Sequence, residues 1–211
     1  MAHRLLPFRQ YDENDVVNLF ALQTDVNLKA IGVNDDGDNA DGVLVSVQAG
    51  DKGKNVIDLD NAGDFFASYS SPVGRNQYPE NPLKVVAASS GNFNAIGVTL
   101  RSTLAVDENG ESLLFNPVKK DELQAVLSGQ TVPILSKGII TVTENAIQAG
   151  DKPAPGQPLA AAANGKFGLM GGKEQNKNQR QIGQVLATGV REDGNYADTW
   201  AGRYYVIKLD C

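Results

Sequence analysis

Apolar positions in this chain fall in short runs separated by polar or glycine-containing connectors, and the runs are rich in β-branched residues. Val43 to Val47 (VLVSV) is a clear case, since branched side chains pack well on a pleated surface. The same reasoning predicts strands at Leu28 to Val33, Val56 to Leu59, Leu83 to Ala88, Ala95 to Leu100, Ile139 to Thr143, Leu159 to Ala163, Phe167 to Met170 and Ile182 to Ala187. A closing strand at Arg203 to Leu209 alternates cleanly, with Tyr204, Val206 and Lys208 on one face and Tyr205, Ile207 and Leu209 on the other. Pro133 confines its own position to a strand start or an edge.

Helical spacing is confined to two places. Lys119 to Leu127 sets Leu123, Val126 and Leu127 on one face, with Gly129 as a stop. Near the start, Asp15 could cap a helix over Val16 to Leu22, while Pro7 holds the preceding residues extended. Residues 65–82 combine aromatics with prolines and read as an ordered excursion, either a contact loop or a surface loop with its aromatics tucked inward. Residues 171–181 are strongly polar and read as a mobile loop. VQAGDK at Val47 and IQAGDK at Ile147 repeat one turn solution, or mark an old duplication.

The expected fold is therefore mainly β: an antiparallel small barrel or sandwich with an elaborated N-terminal β-rich lobe and an extended arm. The boundaries place the arm at 1–22, the lobe at 23–130 and a compact barrel-like module at 131–211. Closure into a barrel would protect strand edges.

Charge refines the picture. Residues 1–10 hold two Arg and no acid, whereas residues 11–64 hold twelve acids against three Lys, within a net charge of −6. A basic arm before an acidic segment favours protein contacts over nucleic acid, which requires a concentrated positive face. Leu5, Leu6, Phe8 and Tyr11 beside Arg4 and Arg9 are costly to leave in water, so the arm is expected to lie on its own chain or on a neighbour. Phe65, Phe66, Tyr69 and Tyr78 are further interface candidates. No stretch approaches the roughly 20 apolar residues of a membrane span, and no signal peptide is read at the N-terminus, so a soluble, non-exported product is expected. The sole cysteine, Cys211, allows no internal disulfide.

Candidate chemistry is sparse. Asp35, Asp36, Asp38 and Asp41 surround glycine in a polar connector whose oxygens are weak calcium candidates, but the spacing lacks the terminal bidentate Glu of a calcium hand. His3 is the only histidine, and GLMGGK at Gly168 to Lys173 has the wrong spacing for a phosphate loop. Neither a catalytic residue, a resident metal nor a cofactor is expected.

Several segments together carry a family resemblance: Val132 to Thr143 (VPILSKGIITVT), Ala149 to Leu159 (AGDKPAPGQPL), Asn164 to Phe167, Ile182 to Ala187 (IGQVLA) and Tyr205 to Leu209. They resemble the β modules of tailed-bacteriophage capsid decoration, or cement, proteins, over about the C-terminal 80 residues. The resemblance implies a non-enzymatic virion protein on the outer surface of an icosahedral head, made in the host cytoplasm. It would bind the major capsid protein, form homo-oligomers with trimers favoured, and contact neither nucleic acid nor membrane. The alternatives are a tail or baseplate accessory protein and an independent calcium-dependent or carbohydrate-binding β module.

Overall fold

The computed structural model describes residues 4–18, 41–48, 84–88, 95–102, 109, 111, 113, 115–126, 132–171, 180–192 and 201–211. The protein is mainly β, with two antiparallel sheets. The larger sheet has the order β1-β7-β11-β10-β8-β9, built from β1 (Leu5–Gln10), β7 (Lys137–Thr143), β8 (Pro158–Ala161), β9 (Phe167–Leu169), β10 (Gly183–Arg191) and β11 (Gly202–Asp210). The smaller has the order β2-β6-β5-β3-β4, built from β2 (Val16–Val17), β3 (Leu44–Gln48), β4 (Lys84–Ala87), β5 (Ala95–Thr99) and β6 (Ile134–Leu135). The runs predicted at 28–33 and 56–59, the 65–82 excursion and most of the polar 171–181 loop lie outside the described residues.

Alternation explains the packing. In β11, Tyr205, Ile207 and Leu209 are fully buried while Lys208 is exposed. Their partners across the sheet are Val142, Ile140 and Gly138 on β7. On the other side Val185 lies opposite Ile207 and Gly183 opposite Leu209. Leu44, Val98 and Leu135 of the smaller sheet join this cluster, so one core serves both sheets. Each large apolar side chain buried there contributes about 1.5–3 kcal/mol. Val43, just before β3, and Val45 within it turn the other way: they pack with Ile134, Val132 and Val126 in a second cluster, which gives the smaller sheet two buried faces.

The sheets are joined by two crossings that run side by side. The chain leaves β1 and enters β2 through residues 11–15, and it leaves β6 and enters β7 through Ser136. Ser136 donates to the Asp15 carbonyl through both its backbone N–H (2.9 Å) and its Oγ (2.8 Å). Gly138 lies so close to Tyr11 that a Cβ there would sit 2.7 Å from the Tyr11 Cβ. Strand pairing thus uses residues 5–10 in one sheet and 16–17 in the other, within the chain's own fold.

Two local expectations change. Instead of Asp15 capping a helix over 16–22, Asp12 caps a single 3-10 turn at Glu13–Asp15, its carboxylate accepting from Asn14 N–H at 2.8 Å, and Val16–Val17 pair as strand. Two adjacent β-branched residues favour that outcome. The predicted helix at 119–127 is instead α1 (Pro117–Glu122): Asn116 caps it by accepting from Lys119 N–H at 3.2 Å and Pro117 sits in its first turn. Gln124 at φ +49 closes it, and Val126 N–H donates to the Ser102 carbonyl at 2.8 Å, drawing Val126 against the smaller sheet.

Candidate protein-binding surface

β1 is an edge strand of the larger sheet, and its residues divide between anchoring and exposure. Arg4 and Leu5 are buried. Leu5 lies opposite Val142 in the core, Thr143 N–H donates to the Arg4 carbonyl at 2.8 Å, and Arg4 Nη1 donates to the Asn164 carbonyl at 3.3 Å. Gly42 packs against the same spot, where a Cβ would meet the Arg4 and Leu5 Cβ atoms at 3.1 and 3.2 Å. Arg4 therefore serves the junction of the two sheets.

Between Leu5 and Arg9 the register with β7 shifts, and Pro7, which has no N–H to donate, occupies the irregular stretch. Arg9 Nε closes it by donating to the Leu6 carbonyl at 3.1 Å. Leu6 and Arg9 are half-buried, whereas Phe8 is 62% exposed and Tyr11 is also exposed. Of the six N-terminal candidates, Phe8 and Tyr11 are the ones that offer apolar surface to a partner. A backbone held at both ends prepays part of the ordering cost that such a contact would otherwise meet.

Four further exposed apolar side chains are not singled out by the sequence pattern. Phe115 and Val118 project at the start of α1, and Leu186 and Val190 project from β10. No periodicity separates these from core residues: Leu186 is the additional residue of a bulge between Val185 and Ala187, which turns an ordinary alternating run outward.

Phe65, Phe66, Tyr69, Tyr78, His3, Asp35, Asp36 and Asp38 lie outside the described residues. Asp41 is buried in the turn that enters β3. Among the described residues no group of three His, Cys, Asp or Glu is placed to hold a metal ion, and no helix is long and apolar enough to cross a membrane.

Among the described residues, burial shifts the titration of two groups. Burial raises the Tyr205 phenol above its usual range, opposed by Arg203 and assisted by Glu144. Burial likewise pushes the Cys211 thiol up to about 12, with Arg180 lowering and Asp210 raising it, and its Sγ lies 3.9 Å from the Ile182 carbonyl. A thiol held protonated is a poor nucleophile. A polar depression of about 340 Å³ lies between Gln181, Gly183, Gln184, Lys208 and Asp210 on the β10–β11 face. No family model matches the chain, and no curated protein or solved structure is significantly similar to it.

Proposed function

We propose that this chain is a structural capsid decoration protein that binds the outer surface of a phage head and cements adjacent major capsid subunits. What supports the reading is the structural use of the residues that carry the resemblance. In the segment AGDKPAPGQPL, Gly150 and Gly156 take the positive φ angles of turns, +90° and +87°. Asp151 accepts from Leu169 N–H at 3.0 Å, which ties the turn to β9, and Leu159 ends the segment in the core. The flanking segments contribute to β7, β9, β10 and β11 of the same sheet, and residues 132–135 carry β6 of the smaller one. In this reading residues 131–211 close into a compact barrel or sandwich, residues 23–130 elaborate it, and trimers bridge capsid subunits.

Phe8 and Tyr11 supply the apolar anchors toward the shell, with Arg9 beside them orienting the approach. Many copies, each with a modest contact, strengthen a shell because the lattice fixes orientation and raises effective concentration. Deleting residues 1–11 would also remove Leu5 from the core, so point variants separate the two roles. Phe8→Ser with Tyr11→Ser is expected to lower occupancy on stripped heads at least tenfold, about 1.4 kcal/mol, while thermal unfolding stays near wild type. Leu5→Ala, by contrast, should cost about 2–5 kcal/mol of stability. Unchanged occupancy for the double variant, or copies confined to the tail in a reconstructed particle, would remove the head-binding assignment.

A further inference from the structure

β10 spans nine residues and pairs with β11 over Gly183–Arg191, but β8 covers its other side only at Gly183 and Gln184. Two more bonds, Gly156 N–H to the Val185 carbonyl at 2.7 Å and Val185 N–H to the Gln157 carbonyl at 3.1 Å, end that coverage. Among the described residues no strand pairs with the outer side of Leu186–Arg191. A bare edge is a template for another strand, and proteins usually blunt one with Pro, Lys or short length. Here the run is LATGVR, with Leu186 42% and Val190 62% exposed and only Arg191, at its end, charged.

The bonding phase of the edge follows from the structure. Val185 directs both backbone groups toward β8. The bulge at Leu186 resets the alternation, so Ala187, Gly189 and Arg191 bond toward β11 while Thr188 and Val190 present N–H and C=O outward.

We propose that this edge pairs with the same edge of a second copy, antiparallel about a twofold axis through Gly189. In that register Thr188 faces Val190 of the second copy, and each pair exchanges main-chain hydrogen bonds. Gly189 meets its own counterpart on the axis, at a closely spaced pair where the absence of a side chain relieves crowding. The ring of Tyr204 already fills the space beside it, its Oη 2.4 Å from where a Gly189 Cβ would be. Ala187 then faces Arg191 and Leu186 faces Glu192, so no like charges oppose. A shift by one residue would set outward N–H groups against residues that bond inward, so the twofold register matches itself in both hydrogen-bond phase and charge. Six residues per copy bury much less than the roughly 800 Å² per partner of a stable complex, so the contact is weak and concentration-dependent. The inference does not rest on the capsid assignment, and this twofold contact is distinct from the trimer proposed there.

The test is amide hydrogen exchange and sedimentation equilibrium on the full chain across a concentration series. Thr188 and Val190 amides should slow about tenfold as the protein self-associates, while Ala187 and Gly189, held by β11, stay constant. The pair of substitutions Leu186→Lys and Val190→Lys should abolish that concentration dependence without altering thermal unfolding. Protection of Thr188 and Val190 in the dilute monomer would mean the chain covers its own edge and would overturn the proposal. So would self-association that leaves these amides fast or survives both lysines, or a chain that remains monomeric at millimolar concentration.

Discussion

Replacing Gly165 by Ala tests how tightly the two sheets are locked where they meet. Gly165 has φ +66°, its N–H donates to the Ala88 carbonyl at 2.8 Å, and it lies against the start of β3. A Cβ there would sit 2.3 Å from Val43 Cγ1 and 2.7 Å from the Leu44 carbonyl oxygen. The left-handed conformation costs an L-residue roughly 1–2 kcal/mol. Overpacking adds about 1–3 kcal/mol, toward the upper end because one obstacle is backbone. The expected loss is about 2–5 kcal/mol, a large share of the stability of a typical domain. Gly156→Ala is the matched control: its φ is +87°, but no atom lies within 4 Å of the added Cβ, so only the conformational cost of roughly 1–2 kcal/mol remains. Urea unfolding of both variants measures the difference at constant slope. Two variants within about 0.5 kcal/mol of each other, the usual range for harmless surface changes, would refute the claim that close packing at Gly165 couples the sheets.

Thr141 is buried on β7 with no hydrogen-bond partner for its Oγ1, so Thr141→Val should be neutral or stabilise by up to about 1 kcal/mol in urea melts, and a loss above that would reveal a bond to the hydroxyl. Cys211 has a folded pKa above that of the unfolded thiol, so its contribution is fully present below pH 9 and is lost as pH rises toward about 12. The stability difference between wild type and Cys211→Ser should therefore be flat below pH 9 and change above it. Alkylation of the folded protein at pH 8 should be much slower than in urea, and equal rates would contradict the burial.

β11 was the most legible strand of the larger sheet because it alternates: Tyr205, Ile207 and Leu209, which the sequence pattern groups on one face, are the residues it buries. The smaller sheet was less so. Val43, Leu44 and Val45 are all buried because both faces of β3 are covered, and a continuous apolar run does not say which side chain faces which cluster. Arg4 and Leu5 illustrate the limit at the candidate surface. Neighbours of Phe8 in a mixed basic and apolar segment, they carry the same sequence signal, yet they bond across the fold to residues such as Asn164 and Val142 that lie far away in the chain. The bulge at Leu186 depends on a count of residues between two strands, which composition does not record.

The strand order also dictates a sequence of events in time. β11 lies between β7 and β10, so the β1-β7 pair and the β8-β9-β10 group have no direct pairing with each other. During synthesis the earlier strands emerge first, yet the larger sheet remains in two pieces until residues 202–210 arrive to bridge them. Contacts so distant along the chain fold slowly. Until that bridge forms, the apolar faces of both pieces remain open to other chains, so loss of β11 alone is expected to turn a folding problem into an aggregation problem.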